Sequence, residues 1–165
     1  MKNVISSLVI ILGFTTQFLF AQCGTENEST FITNQLELDE LSSCELFLGN
    51  LNVTGSDIYS LASLSELLTV SGNLNIYETS IETIEALSNL MNVAEINIYN
   101  NDLLENCCSS LNWQSALELQ TVGLVNILAN AQGCESYPQA QAACLGLIPG
   151  CTDDNAVNYN PLATF

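Results

Sequence analysis

The chain has 165 residues, of which 18 are acidic, one is basic and none is histidine, so its formal net charge is −17 at pH 7. The basic residue is Lys2, and every later position lacks a cationic side chain. Such a surface repels phosphate backbones and anionic lipid headgroups, which excludes nucleic acid as a partner. The same deficit removes imidazole, lysine and arginine from any active site. We therefore expect no enzyme, although carboxylate pairs of the glycosidase kind stay chemically available.

The first 22 residues have the order of a secretory signal peptide. Lys2 supplies the positive start, residues 4–20 form an apolar run, and a polar stretch follows. This run is too short and wrongly flanked for a membrane anchor. We expect a secreted or outer cell-surface protein. A second alternative is a lipoprotein that contacts the membrane through acylated Cys23, although Gln22 is a poor residue before a lipidation site.

An internal repeat occupies the middle of the chain. Residues 48–70 and 71–93 align at an offset of 23 with seven shared apolar columns. A third copy begins at residue 94, and residues 123–128 resemble a fourth strand. Periods of about 20–29 residues are typical of leucine-rich repeats. We predict a β-rich α/β fold, namely a short right-handed leucine-rich β-solenoid of about three to four coils with an N-terminal cap helix and disulfides.

Each copy contains an apolar–Asn–apolar triplet, which has the period of a strand with one buried face. The predicted inward residues are Leu51, Val53, Leu74, Ile76, Ile96 and Ile98. The intervening asparagines should form an exposed ladder whose main role is that stacked amides satisfy one another. The same ladder is our candidate surface for a protein or glycan ligand. The candidate binding residues are Asn52, Thr54, Asn75, Tyr77, Asn97, Tyr99 and Asn126.

A short strand over Thr30–Thr33 and then a helix are predicted before the first repeat. Asn34 can act as its N-cap, and Glu37 occupies the reciprocal capping position. Leu36, Leu38 and Leu41 are expected to face inward.

Seven cysteines behind a signal peptide indicate disulfides rather than a metal or redox site. An odd count leaves one cysteine without a partner in this chain. We expect Cys134 to pair with Cys107 or Cys108 and Cys144 to pair with the other, which leaves Cys151 single. The sequence does not fix this connectivity.

Residues 23–134 resemble the receptor L domain, the extracellular ligand-binding domain of growth-factor and insulin receptors. The resemblance rests on a cysteine, a cap helix, a second cysteine and the segment CELFLGNLNVTG, and it is sharpest over residues 44–58. In that family the two N-terminal cysteines pair, which implies a Cys23–Cys44 disulfide. Secreted bacterial proteins with repeated GNLNIY segments and an NCCSSL-like turn are similar as well.

The C-terminal segment GCTDDNAVNYNPLATF is similar to a short repeat of bacterial surface proteins exported by the type IX pathway. This copy ends before the closing cysteine of that repeat, so we expect a fragment or a truncated gene. Its polar residues invite a Ca²⁺ site, but their spacing is not that of an EF-hand loop, and a turn-rich linker is favoured. We therefore expect no cofactor. The residues concerned are Asp153, Asp154, Asn155 and Asn158.

The predicted organisation is a signal peptide over residues 1–22, the L-domain-like unit with its caps over residues 23–145, and the truncated repeat over residues 146–165. Three function classes stay open. The favoured class is an adhesion or ligand-recognition module for an extracellular protein or glycan. The second is a structural spacer in a larger surface protein. The third, a β-helical polysaccharide-degrading enzyme, is disfavoured by the lack of basic side chains.

The charge balance predicts a salt-dependent stability. Compactness concentrates like charges, and screening within a Debye length of about 8 Å at physiological ionic strength weakens their repulsion. The melting temperature should rise with NaCl, rise further with millimolar Ca²⁺, and rise on modest acidification towards the isoelectric point. A melting curve that is indifferent to NaCl between ~10 mM and ~500 mM would contradict this expectation.

Overall fold

The computed structural model describes residues 20–111 and 122–146. The predicted signal peptide up to residue 19 lies outside the described residues. So does the C-terminal repeat from residue 147, with Cys151 and the candidate Ca²⁺ ligands.

Five strands form one sheet in chain order, and every neighbouring pair is parallel. They are β1 (Gln22–Ile32), β2 (Leu46–Gly55), β3 (Thr69–Thr79), β4 (Asn92–Tyr99) and β5 (Val122–Leu128). Within the described residues, two short α-helices flank the sheet, α1 (Gln35–Asp39) and α2 (Tyr137–Cys144). The described parts of the connections after β2, β3 and β4 contain 3-10 helices over Ala62–Leu64, Glu85–Asn89 and Cys108–Leu111.

The predicted right-handed leucine-rich β-solenoid is wrong. The described residues form a small β-rich domain with a five-stranded parallel sheet, few helices and three disulfides, and a solenoid is not shown. The repeat fixes which residues stand side by side on neighbouring strands, but it does not fix the path of the chain between those strands. The short strand predicted over Thr30–Thr33 lies at the end of a longer one. Strand β1 runs over Gln22–Ile32 and pairs with β2, although its sequence does not match the later copies.

Like residues stand beside like residues across the sheet. Leu51 pairs with Leu74, which pairs with Ile96, and a second column continues from Val53 through Ile76. The prediction that these columns are buried is confirmed: the exposed fraction of all six predicted inward side chains is 0%. Burial of each such side chain contributes about 1.5–3 kcal/mol relative to exposure. The columns therefore supply the core on one side of the sheet.

Helix α1 begins as predicted. The Oδ1 atom of Asn34 accepts a hydrogen bond from the backbone N–H of Glu37 at 3.1 Å. The Glu37 carboxylate reaches back to the backbone N–H of Thr33 at 2.8 Å, one residue before the N-cap. This bond is the largest cause of a lowered pKa for Glu37. The pair satisfies one open donor of the first turn, the N–H of Glu37, and the N–H of Thr33, which lies before the cap.

The prediction for the inward leucines of this segment is partly wrong. Leu38 and Leu41 are buried, but 78% of Leu36 is exposed. The helix has five residues, and two positions along a helix are about 200° apart around its axis. Leu36 therefore cannot share the buried side of Leu38.

Disulfide bonding is confirmed. The structure joins Cys23 with Cys44, Cys107 with Cys134, and Cys108 with Cys144. The first bond ties β1 to the segment before β2. The other two start from adjacent cysteines and hold the 3-10 helix after β4 against the turn after β5 and against α2. The Cys23 sulfur is engaged in its disulfide, so the lipoprotein alternative has no support in the structure.

Placing a charge in the inner column should destabilise the fold strongly. Ile76→Asp puts an unpaired carboxylate into a site with 0% exposure, and we expect the free energy of unfolding to fall by about 3 kcal/mol or more. Met91→Asp adds the same charge at a side chain that is 61% exposed, and it should change the value by about 0.5 kcal/mol at most. Urea unfolding of both variants checks this. Equal midpoints for the two variants would refute the assigned inward columns.

Candidate functional site

The side of the sheet opposite the core, which we call the outer face, carries three rows of side chains. Strand alternation puts them there, because they stand between or beside the buried residues. The amide row holds Asn52, Asn75, Asn97 and Asn126, with Phe31 at its β1 end. The tyrosine row holds Thr54, Tyr77, Tyr99 and Leu128. The mixed row holds Ser29, Asn50, Asn73, Glu95 and Leu124.

The amide row is a chain of hydrogen bonds. The Nδ2 atom of Asn75 donates to Oδ1 of Asn52 at 2.8 Å, and Asn97 donates to Asn75 at 2.8 Å. Asn126 donates to Asn97 at 2.7 Å, and the chain ends where Asn52 donates to the backbone oxygen of Thr30 at 3.1 Å. Each bond contributes about 0.5–1.5 kcal/mol net. The row therefore fixes the lateral register of all five strands and orients its amides before any ligand arrives.

The prediction that these asparagines are exposed is wrong for Asn52. Only 8% of its surface is accessible, and the other three asparagines are half-buried. Amides at hydrogen-bond distance cover one another, and Phe31 stands beside Asn52 in the register of β1 and β2. Only part of each hydrogen-bonded amide group in this row is therefore accessible to solvent or to a ligand.

The tyrosine row contains an aromatic pair. The ring centroids of Tyr77 and Tyr99 lie 5.1 Å apart with an angle of 1° between the planes. Each ring therefore uses one face on the other. The pKa of Tyr99 is raised, first by burial and then by the nearby Tyr77 and Glu78. The phenolic proton of Tyr99 consequently stays in place throughout the physiological range.

Large apolar side chains stand at both borders of the outer face. Phe31 is 58% exposed on β1, and Leu124 and Leu128 are 54% and 50% exposed on β5. Sequence analysis missed Phe31 and Leu124 as site residues. Leu124 stands two residues before Asn126 and has the same strand parity, a signal that the repeat alignment already contained. Phe31 carried no such signal, because β1 does not share the repeat.

The outer face is nearly free of charge. Among the residues of the three rows, Glu95 alone carries a carboxylate, and the Nδ2 atom of Asn73 donates to it at 3.2 Å. Asn73 in turn uses its backbone N–H on Oδ1 of Asn50 at 2.8 Å. In a chain with a net charge of −17, a surface of ordered amides, two tyrosines and three exposed apolar side chains with a single carboxylate is distinctive. It has the polar and apolar mixture of a binding surface.

In residues 20–111 and 122–146, no three or more His, Cys, Asp or Glu side chains are grouped so as to hold a metal ion. Within the same ranges no helix has both the length and the apolarity needed to cross a membrane.

Breaking the amide row should lower stability in a way that depends on pH. In Asn97→Asp the carboxylate keeps an acceptor for Asn126 but loses the donor to Asn75, so two acceptors face each other. We expect a loss of about 1–3 kcal/mol in the free energy of unfolding at pH 7. The loss should shrink on acidification, because the protonated Asp regains a donor and its folded-state pKa is raised.

The matched control is Asn92→Asp on the same strand, where the exposed side chain makes one long contact of 3.4 Å to Thr69. It should change stability by about 0.5 kcal/mol at most. Unfolding curves for both variants at pH 7 and pH 4 check the expectation. An Asn97→Asp variant as stable as Asn92→Asp would show that the row contributes nothing.

Comparison with known proteins identifies a family. The family model described as Receptor L domain matches residues 43–142, which is more than half of the chain. No curated protein and no solved structure matches the chain. Receptor L domains are non-enzymatic, ligand-binding domains that bind protein ligands, and the family and the disulfides fit an extracellular or secreted protein. A matched domain that includes β2 to β5 and the Cys107–Cys134 disulfide leads to one conclusion: the chain belongs to the receptor L domain family.

Proposed function

We propose that this protein is an exported, non-catalytic binding module that engages an extracellular protein through the outer face of its sheet. The observation that carries the proposal is the near absence of charge from this face in a strongly acidic chain. Elsewhere on the surface a partner would have to displace water from carboxylates, which costs free energy. Covering the outer face desolvates few charged groups, so this cost is small there.

The composition of the outer face suits a protein ligand. The amides are already hydrogen-bonded to one another, so little side-chain freedom remains to be lost on binding. Phe31, Leu124 and Leu128 offer apolar area, and covering apolar area contributes about 25 cal/mol per Å². These properties match an interface core with a polar surround.

A glycan is the weaker alternative. Sugars commonly bind across the open faces of aromatic rings, but Tyr77 and Tyr99 each use one ring face on the other. The exposed side chains at the borders are leucine and phenylalanine, which provide apolar contacts rather than the dense hydrogen bonding that hydroxyl groups need. Both features favour a protein.

Export is part of the same proposal. Disulfides form and persist in oxidising compartments, and three of them link the described segments. Together with the signal peptide predicted over residues 1–22, they support a secreted or outer cell-surface location, where an adhesion or recognition module meets its partner.

The test uses charge substitutions at the two borders of the outer face. Phe31→Asp and Leu128→Asp should each weaken binding to any extracellular protein that the parent recognises, by about tenfold or more. Leu103→Asp adds the same charge at a side chain that is 51% exposed and lies outside the three rows, so it should leave the affinity unchanged. The measurement is binding of purified parent and variants to an array of extracellular proteins.

Two results would contradict the proposal. One is equal binding by the parent, the two face variants and the Leu103→Asp control. The other is no saturable binding to any protein of the array, which is what the structural-spacer alternative expects. Circular dichroism of each variant establishes that a loss of binding is not a loss of folding.

A further inference from the structure

We propose that the protein ligand adds an extended segment to the outer edge of β5 as an additional strand, and that this segment carries an asparagine between two apolar residues. The inference rests on the proposed function and deepens it, because it assigns how the ligand meets one border of the outer face. Two observations carry it: the two edges of the sheet are protected differently, and the hydrogen bonds of the amide row all run in one direction.

Strand β1, at one edge of the sheet, has features that oppose the addition of another strand. Its pairing with β2 shifts register between Gly24 and Ser29, and the φ angles of Gly24 and Asn27 in this bulge are positive, at 75° and 59°. Glu26 and Glu28 place two exposed charges in the same stretch. Bulges and charged side chains are common protections of a sheet edge against pairing with another chain.

Strand β5, at the opposite edge, has none of these features. Its seven residues, VGLVNIL, include no charge and no proline, and its pairing with β4 keeps one register from Val122 to Leu128. Apart from β4, the described residues pair with this strand only at its end, in an isolated antiparallel bridge between Leu128 and Ser136. The backbone groups that residues 123–127 direct away from β4 therefore have no strand partner among the described residues.

The amide row ends at this edge with an acceptor. Each asparagine of the row donates its Nδ2 hydrogen bond to the preceding strand, towards β1. Asn126, the last member, donates to Asn97 at 2.7 Å, and no donor from a described residue reaches the Oδ1 atom of Asn126. An asparagine at the same position of an added strand would supply this donor and continue the row by the hydrogen bond that already joins its members.

Apolar side chains surround this acceptor on both sides of the sheet. Leu124 and Leu128 lie two residues before and after Asn126 on the outer face, and both are exposed. On the core side, Val125 and Ile127 continue the buried columns. A segment with apolar residues before and after its asparagine would extend these columns by one strand. Backbone hydrogen bonds would then provide affinity, and the side chains at alternate positions would provide specificity.

The test titrates the full chain with a synthetic peptide of the β4 sequence, NVAEINIY, which contains the required triplet. The peptide should shift the backbone amide NMR signals of residues 123–127 saturably and leave those of residues 24–29 unchanged. Replacing the asparagine of its Ile-Asn-Ile triplet by alanine should weaken binding by about fivefold, because the donor to Asn126 is lost.

Two further peptides separate strand addition from other modes of binding. Each carries methyl groups on alternate backbone nitrogens, one peptide for each edge of the strand. An added strand uses the donors of one edge only, so one methylated peptide should lose binding and the other should retain it. Equal binding by the two methylated peptides, or the absence of shifts at residues 123–127, would overturn the proposal.

Charge substitutions in the protein provide a matched comparison. Leu124→Asp puts a charge beside the incoming strand and should weaken peptide binding by about fivefold or more, whereas Leu103→Asp should not. Phe31→Asp, at the opposite border, should leave peptide binding unchanged. Circular dichroism checks that each variant is folded. Equal affinity of the Leu124→Asp and Leu103→Asp variants would contradict strand addition at β5.

Hydrogen exchange of the free chain tests whether the edge is open. Alternate backbone amides of residues 123–127 should exchange quickly. Uniformly slow exchange would show that another part of the chain occupies the edge, and protection that appears only at high protein concentration would assign it to a second copy; either result overturns the proposal. Neither changes the expected loss of ligand binding in Phe31→Asp, so failure of strand addition is distinguishable from failure of the outer face as the binding surface.

Discussion

Lateral matching of identical positions on parallel strands is the constraint on which the rest of this structure depends. On one side of the sheet it brings apolar residues into continuous columns, and on the other it brings four asparagines to hydrogen-bond distance. Slipping one strand by a residue would put amides into the core and apolar side chains into water at once. The core and the outer face therefore enforce the same register, and the outer face inherits the rigidity of the core.

The sequence predicted what depends on this matching and failed where other forces decide. An apolar–Asn–apolar triplet repeated at 22 or 23 residues specifies the inward columns and the amide row, because strand alternation and in-register pairing follow from it directly. It does not specify how the chain turns between strands, so the predicted solenoid was wrong. The prediction that Asn52 is exposed was wrong because Phe31 stands beside it. Phe31 lies on β1, a strand without the repeat, so the repeat could not indicate this neighbour. Leu36 was misplaced because a five-residue helix has one narrow buried side.

The strongly acidic composition of the chain explains why the neutral composition of the outer face matters. A protein without cations after Lys2 has no internal ion pairs between side chains to offset its carboxylates, so it depends on hydrogen bonds, apolar burial and disulfides for stability. Under the proposed function, the surface that meets the partner has to be largely free of that repulsion. The amide row achieves this with neutral groups that satisfy one another, and the exposed apolar residues at its borders add area for contact.

Hydrogen exchange of the asparagine side-chain amides tests the central claim most directly. If the amide row holds the outer face as described, the NH₂ groups of Asn75, Asn97 and Asn126 exchange with solvent more slowly than that of Asn27, an exposed residue of β1. Exchange of all four side chains at the same rate would show that the row is not formed in solution. The rigid, nearly uncharged surface inferred from it would then have no basis.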